Sequence, residues 1–514
     1  FTPSILTILG IILFLRLGYV VGNAGLLRAL LMIAIANLIS VLTSFSLAAI
    51  ATNMKVKGGG DYYLISRTLG LEFGGAIGIV LFLAQSISIA FYCIGFGESL
   101  NSMLGGEPGG LATQFIAGTA LMFLFVLAWI GADLATKFQY VVMTFLILAL
   151  ASFYFGGIGK WQTQTLIQNW STQGSDTGFW VLFAIFFPAV TGFTQGVSMS
   201  GDLKDPGSSL PKGTFSAVIL SIIVYFSVTV IFSASTDLSD LAQNYGIMKE
   251  TAHWGGLIDA GVIAATLSSA MASFLGAPRI LQSLSADKIF PFLTFFEKGH
   301  GDSNNPRRAV LLSFMIAIFT IALGELDLIA GIVSMFFLIS YGLLNYATYF
   351  EAAADSPSFR PRFKWYDKRL SLIGFIVCMG VMLAIDYRTG VAAAAILFAI
   401  FQYLKRTAMP ARWSDSKRSH HLKAIRENLF AAHRELEHPR EWRPFIIALS
   451  NDPHDMDELL DFACMIEGNS GMTTAAQIVE GAGYKVLKQK LEMEKTLNLQ
   501  INEKKRNIFP LVIS

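Results

Sequence analysis

The stretch 186–196 contains residues that could bind ions inside a membrane. Apolar residues precede it, but Pro188 lacks an N–H group and Gly192 tolerates backbone angles that an α-helix does not use. The stretch therefore predicts two half-helices joined by an unwound turn. Carbonyl groups freed at such a turn can hold a cation, and the amides that begin the second half-helix can hold an anion.

Residues 7–12, in the first apolar segment, form a similar run of small and apolar residues around Gly10. The two glycine-containing segments are the first and sixth of the chain. Five segments per repeat would place the two halves in opposite orientations, with a broken first helix in each half and a binding site near the membrane midplane. We therefore predict a 5+5 inverted repeat.

The composition is that of a polytopic membrane protein. Hydrophobic residues make up 54% of the 514 residues, charged residues 14%, and the mean hydropathy is +0.55. The net charge of +2 gives no field that would select nucleic acid. The three cysteines, which lie far apart, suggest neither a disulfide framework nor a metal site. Neither a metal cluster nor a nucleophile–base set is evident, so we predict no enzyme and no cofactor.

Apolar segments of membrane-spanning length occur throughout the first four-fifths of the chain. We place twelve, at 4–22, 27–52, 72–103, 113–131, 138–157, 179–201, 213–235, 256–286, 308–324, 326–353, 369–386 and 388–405. Lys and Arg gather in alternate connections, which the positive-inside rule assigns to the cytoplasm. Both ends are then cytoplasmic, and we expect the protein to continue beyond both.

The organisation changes after Lys405. Residues 1–406 form the predicted transmembrane domain, and 407–441 a basic helical connector. From 442 to 514, strand and helix patterns alternate: strands at 445–449, 473–479 and 509–514, helices at 455–466 and 484–499. This alternation predicts the start of an α/β cytoplasmic domain with a mainly parallel sheet, truncated here.

Several long motifs resemble those of the cation-chloride cotransporters. They cover nearly all the membrane part and lie at Gly10–Leu17, Ala48–Asn53, Gly58–Ser66, Leu71–Gly78, Phe186–Gly192, Ser200–Leu203, Ala265–Ser269 and Ala277–Pro278. The resemblance implies an all-α membrane domain of the amino acid-polyamine-organocation type. It also implies electroneutral transport of chloride with potassium, sodium or both.

The resemblance assigns ion sites residue by residue. It implies a potassium site at Tyr92, Thr7, Ile8, Pro188 and Thr191. It implies chloride at the amides of Gly10, Ile11 and Ile12, and at those of Gly192, Phe193 and Thr194 with the Tyr341 hydroxyl. It implies sodium at Ser268, Ser269 and the carbonyls of Ala265, Leu6 and Leu9. The run that contains this serine pair resembles that of sodium-dependent members, so we favour sodium dependence.

Thr7 and Leu9 depart from the family pattern, in which asparagine and, in sodium-dependent members, an aromatic residue are usual. A threonine hydroxyl is shorter than an asparagine amide and both donates and accepts, which predicts an altered potassium site.

Arg16 and Glu98 are charged residues inside the predicted spans. Arg16 follows Gly10 by six residues and Glu98 follows Tyr92 by six, so each lies about 9 Å to the outer side of the site at about 1.5 Å per residue. Charges inside spans are seldom without function. We predict that Arg16 and Glu98 pair as an external gate.

Three other interpretations stay open at this point: a potassium–chloride cotransporter without sodium, an amino acid permease of the same fold, and a non-transporting membrane regulator. For the leading interpretation, the predicted partners are inorganic ions, membrane lipid and a second copy of the chain. The predicted location is the plasma membrane.

Overall fold

The computed structural model describes residues 1–53, 60–106, 109–130, 133–171, 177–198, 205–301, 304–354, 359–407, 416–435, 443–468, 470–481 and 484–513. Within the motifs named above, Gly58, Gly59 and 200–203 lie outside these residues. The chain divides into two compact units, Phe1–Lys423 and Ala424–Ser514, each described by itself. The predicted connector 407–441 is shared between them.

The first two predicted spans correspond to three helices. They are α1 (Thr2–Ile8), α2 (Ile11–Leu15) and α3 (Leu17–Asn53). Leu9 and Gly10 interrupt the first span, as predicted from the glycine. Within α3, Gly25 has φ of 74°, a left-handed value that favours glycine, and it separates the first predicted span from the second.

The remaining long helices of the first unit follow the predicted spans, and shorter helices lie between them. They are α4 (Gly60–Leu69), α5 (Leu71–Met103), α6 (Gly110–Ile130), α7 (Asp133–Gly159), α8 (Thr163–Gln168), α9 (Phe179–Phe186), a 3-10 helix (Phe187–Thr194), α10 (Gln195–Ser198), α11 (Pro206–Ser235), α12 (Leu238–Gln243), α13 (Ile247–Thr251), α14 (Gly255–Ala286), a second 3-10 helix (Pro291–Phe296), α15 (Arg307–Leu323), α16 (Leu326–Ala353), α17 (Lys368–Ile385) and α18 (Tyr387–Thr407). Helix α19 (Ser416–Arg434) contains the boundary between the units.

Ten helices among the described residues are long and apolar enough to cross a membrane. Their surfaces carry large exposed apolar side chains, such as Phe115 and Phe155 at 78% and 76% exposure, while the interior buries polar side chains among its apolar ones. Apolar outer faces of this kind suit lipid, and the chain is an integral membrane protein. The predicted number of twelve additionally counts the broken first span and α15.

The sixth span differs from the prediction. Residues 187–194 form a continuous 3-10 helix between α9 and α10 instead of an unwound turn. Pro188 occupies the start of this helix, where its missing N–H is not needed. Backbone groups buried at this depth have no water to bond, so a tighter helix that pairs each amide three residues back satisfies them.

In the second unit, the described residues that follow α19 form a three-stranded parallel sheet and two helices. Strands β1 (Phe445–Leu449), β2 (Met472–Ile478) and β3 (Phe509–Ile513) lie in the order β1-β2-β3, joined by α20 (Pro453–Glu467) and α21 (Tyr484–Glu503). Parallel neighbours require a crossover, which the helices provide. Met456 and Leu460 of α20 and Leu497 of α21 pack against the sheet.

Candidate functional site

The two interrupted helices lie against each other. A Cβ atom added to Gly192 would fall 2.7 Å from Thr7 Cβ and 2.9 Å from the Ile8 amide nitrogen, so only glycine fits at this contact. The 3-10 helix therefore approaches the backbone of α1 at the residue where α1 ends. Carbonyl and hydroxyl oxygens from both breaks are brought to one buried level.

The hydroxyls of the two threonines at this level each bond within their own helix. Thr7 Oγ1 donates to the Pro3 carbonyl at 2.9 Å, and Thr191 Oγ1 donates to the Pro188 carbonyl at 2.9 Å. A hydroxyl that donates its proton backwards keeps lone pairs for another partner, and a carbonyl that accepts one bond keeps a second lone pair. Both groups can therefore still contribute oxygen to a cation.

Two tyrosines fix the carbonyls of the breaks. Tyr341 Oη donates to the Thr191 carbonyl at 2.5 Å, which joins a residue predicted for chloride to one predicted for potassium. Tyr225 Oη on α11 donates to the Ile8 carbonyl at 2.7 Å. Sequence reasoning missed Tyr225, since spacing within α11 gives no sign of a partner 217 residues away. Tyr92 is 5% exposed on α5, in edge contact with Phe91.

The predicted chloride residues fall in two different backbone environments. Gly10 precedes α2, so Ile11 and Ile12 begin that helix, where the first amides have no partner within the helix. Gly192, Phe193 and Thr194 instead lie inside the 3-10 helix, and the second half-helix begins only at Gln195. The expectation that their amides start a half-helix is therefore wrong for this structure.

The predicted sodium residues meet between α14 and α1. Ser269 Oγ lies 3.5 Å from the Leu6 carbonyl, and 3.8 Å from the position of a Cβ on Gly10. Ala265 and Ser268 are buried on the same helix, and Leu9 is buried at the break. A serine hydroxyl is thus placed beside a carbonyl of the interrupted helix.

Arg16 and Glu98 form an ion pair, with Arg16 Nη2 2.9 Å from Glu98 Oε2. Arg16 Nε also lies 2.6 Å from Asp327 Oδ1 at the start of α16, and the guanidinium carbon lies 4.0 Å from the centre of the Tyr245 ring. Asp327 and Tyr245 were missed because the sequence alone does not show which helices and connections lie beside the predicted pair. A cavity of about 930 Å³, lined in part by Phe14, Glu98 and Tyr245, lies beside this cluster.

The site therefore has two chemical layers. At the breaks, the side chains brought together are uncharged and offer oxygens, which suit a dehydrated monovalent cation. At the next level the residues are charged and paired across three helices, with side-chain exposure of 4% for Arg16 and 8% for Glu98. Buried charges of this kind are retained for function more often than for stability.

Comparison with known proteins adds to this geometry. The amino acid permease family model matches residues 1–446. Human solute carrier family 12 member 1 is 32% identical over 533 residues, which cover 93% of this chain and 48% of that protein. Mouse solute carrier family 12 member 2 is 32% identical over 539 residues, covering 94% and 45%. The bumetanide-sensitive sodium-(potassium)-chloride cotransporter of Manduca sexta is 31% identical over 546 residues, covering 95% and 51%.

The chain thus spans about half the length of the curated relatives it matches. Their names are those of transporters, as predicted here, and not of enzymes. The similarity to a sodium-(potassium)-chloride cotransporter confirms the resemblance drawn from the motifs.

Proposed function

The chain belongs to the amino acid permease family, and we propose that it is a secondary-active, electroneutral symporter that moves chloride together with potassium and sodium. The observation that carries the proposal is the contact between the two helix interruptions, where Gly192 packs on Thr7 and uncharged oxygens converge. Uncharged ligands suit a site that must bind an ion and release it again.

The potassium ion would bind at Tyr92, Thr7, Ile8, Pro188 and Thr191. Support comes from the two threonine hydroxyls, which donate backwards and leave lone pairs free, and from Tyr225 and Tyr341, which hold the backbone of the two breaks in place. The tyrosine bonds preorganise carbonyl oxygens so that binding need not order them.

Chloride would bind at the first amides of α2, at Gly10, Ile11 and Ile12, and beside Tyr341 near Gly192, Phe193 and Thr194. At the first of these sites, the N-terminal end of a helix carries partial positive charge, so an anion there needs no lysine. Two cations moved with two chloride ions would leave no net charge to transfer. Transport would then be insensitive to membrane voltage.

Sodium would bind at Ser268, Ser269 and the carbonyls of Ala265, Leu6 and Leu9. The position of Ser269 Oγ, 3.5 Å from the Leu6 carbonyl, supports this site, because it brings oxygens of α14 and α1 beside each other. The same contact connects sodium binding to the helix that also carries the potassium and chloride residues.

The finer architecture belongs to the same proposal. Twelve spans in a 5+5 inverted repeat would rock around the site, with both ends of the chain in the cytoplasm of a plasma-membrane protein. The Arg16–Glu98 pair would close the outer path. The second unit would be the start of an α/β regulatory domain, and the functional form would be a homodimer.

The test is chloride-dependent rubidium uptake into proteoliposomes, with sodium present or replaced. We expect uptake to need both chloride and sodium, and Ser269→Ala to abolish the sodium requirement or the uptake. Ser285→Ala is the matched control, since this buried serine of α14 bonds only within its own helix at 2.6 Å. Uptake that needs chloride but never sodium would identify a potassium–chloride cotransporter, and chloride-independent uptake of amino acids would overturn the proposal.

A further inference from the structure

A pair of buried glutamines links the interrupted sixth span to α5. Gln195 Nε2 donates to Gln85 Oε1 at 3.0 Å, and the two side chains come from residues 110 apart in sequence. Gln85 is 0% and Gln195 4% exposed. Two amides buried at this depth carry a desolvation cost that a packing role alone would not require.

Gln85 lies on the opposite side of Tyr92 from the charged outer pair. It precedes Tyr92 by seven residues on α5, two helical turns or about 10 Å, so both side chains project from the same face. Glu98 follows Tyr92 by six residues. Helix α5 therefore makes a polar contact with another helix on each side of the ion site, at about the same distance from it.

The glutamine on the other helix lies in a segment that is joined to α1. Ser4 Oγ donates to the Phe193 carbonyl at 3.1 Å and accepts from the Gly196 amide at 3.2 Å, which ties α1 to the sixth span on both sides of Gln195. Because the two interrupted helices are joined in this way, they are expected to move together.

Helix α5 belongs to another group of helices. Its glycines pack without room for side chains against Ser66 and Tyr62 of α4, at Gly74 and Gly78. Helix α4 is in turn held to the end of α14, where both guanidinium nitrogens of Arg67 bond the Asp287 carboxylate at 2.6 and 2.7 Å. The Gln85–Gln195 bond thus connects the interrupted pair of helices to the group formed by α5, α4 and α14.

We propose that Gln85 and Gln195 form the inner gate, a neutral latch that closes the path between the ion site and the cytoplasm. The inference rests on the proposed function for its direction, since it takes the Ser4 side of the site as cytoplasmic. The latch is a single bond: Gln85 Nε2 has no further partner among the described residues. Opening the latch exchanges one neutral hydrogen bond for hydrogen bonds to water. The latch therefore shifts the closed-to-open ratio only about fivefold.

Ser273 provides a probe above the latch. It is 1% exposed on α14, its hydroxyl has no partner among the described residues, and cysteine has nearly the same shape. Since Gly78 of α5 packs against Leu284, the antiparallel α14 places Ser273 between the levels of Gln85 and Tyr92. A thiol reagent arriving from the cytoplasmic side must therefore pass the glutamines to reach it.

The experiment uses the full chain with its three native cysteines replaced by alanine and Ser273→Cys added. Methionine replaces glutamine with similar length and volume but no amide. We expect labelling of inside-out vesicles by a membrane-impermeant methanethiosulfonate to accelerate about fivefold in Gln195→Met, equally in Gln85→Met, and no further in the double variant. Gln282→Met is the control, because this glutamine of α14 bonds carbonyls outside the path.

Labelling unchanged in both single variants, with normal folding by size exclusion, would overturn the latch. The same result follows if the two single variants are additive or if Gln282→Met accelerates labelling as much. Labelling does not require transport, so a protein that shows the acceleration but no chloride-dependent rubidium uptake would retain the latch and refute the proposed function.

Discussion

The charged pair near the outer cavity gives the sharpest test of gating. In Glu98→Gln, the Arg16 guanidinium keeps its burial but loses the opposite charge and one of the two acceptor oxygens that now lie 2.9 and 3.1 Å from Nη2. Asp327 remains as a second partner at 2.6 Å. The variant therefore leaves the buried charge of Arg16 only partly compensated in the closed state. In the open state water hydrates Arg16, so the cost falls on the closed state alone.

The magnitude follows from burial. Removing one partner of a buried ion pair costs about 3 to 5 kcal/mol, and since Asp327 remains we take about 3 kcal/mol. That energy shifts the closed-to-open ratio by about 150-fold. The side chain of Asp327 is 32% exposed, so solvent screens it and Asp327→Asn should shift the ratio by no more than about fivefold.

Cys93 offers the readout. It is fully buried on α5, five residues before Glu98 and next to Tyr92, so an impermeant thiol reagent applied outside should reach it only after opening. When opening is fast and rare, the labelling rate follows the open fraction. We expect labelling to accelerate by about two orders of magnitude in Glu98→Gln, with Cys378 and Cys464 replaced by alanine.

The control is the second ion pair beside the same cavity. Lys249 Nζ lies 2.6 Å from Asp259 Oδ2, but the lysine side chain is 46% exposed, so Lys249→Met should change labelling by about twofold or less. Equal labelling in Glu98→Gln and Lys249→Met would refute the gate. If Glu98→Gln fails to fold, adding Arg16→Gln removes the stranded charge and should restore folding while the path stays open.

Three further outcomes test other parts of the structure. Gly192→Ala should abolish uptake and lower the yield of monodisperse protein, because its Cβ would fall 2.7 Å from a side chain of α1, whereas Gly118→Ala, with no atom within 4 Å, should be tolerated. Tyr225→Phe should weaken apparent rubidium affinity about fivefold by releasing the carbonyl at the first break, with thermal stability nearly unchanged since the ring still packs. In the second unit, hydrogen bonds from Lys504 and then Arg506 lower the pKa of Asp457. A carboxyl whose folded pKa is lowered stabilises the fold above its unfolded pKa of about 4, and that contribution is lost as the pH falls through the folded value. Hydrogen exchange in α20 should therefore rise below about pH 4 in the unaltered protein, and Asp457→Asn should show faster exchange already at pH 7. The exposed Glu458→Gln should behave like the unaltered protein at both pH values.

Local features of the fold followed from the sequence because their causes are local. Apolar length predicted the helices, Gly10 predicted the first break, and residue counts along two helices placed Arg16 and Glu98 at one level. The sixth span was predicted less well. Pro188 and Gly192 indicate that an α-helix is unfavourable there, but either a 3-10 helix or an unwound turn satisfies that constraint.

Contacts between distant helices could not be predicted in the same way. Tyr225, Asp327 and Gln195 each meet a partner more than 100 residues away, and nothing in the local pattern distinguishes them from packing residues. Their roles depend on which helix faces overlap, which is set by close packing at glycines such as Gly192. A single sequence shows that those glycines exist but not what they touch.

The two closures on α5 differ in strength, and that difference sets a direction. Opening the outer side breaks hydrogen bonds between the charged groups of Arg16 and Glu98, each worth about 1.5 to 3 kcal/mol, whereas opening the proposed inner latch breaks one neutral bond worth about 1 kcal/mol. Without bound ions the inner side should therefore open first, and the resting protein should accumulate facing the cytoplasm. Ions from outside can bind only while the outer path is open. The contacts that they gain when this path closes over them must then supply the remaining free energy. In protein whose gate residues are unchanged, labelling of Ser273→Cys from inside should consequently exceed labelling of Cys93 from outside. The opposite order would contradict the energy difference that the two contacts imply.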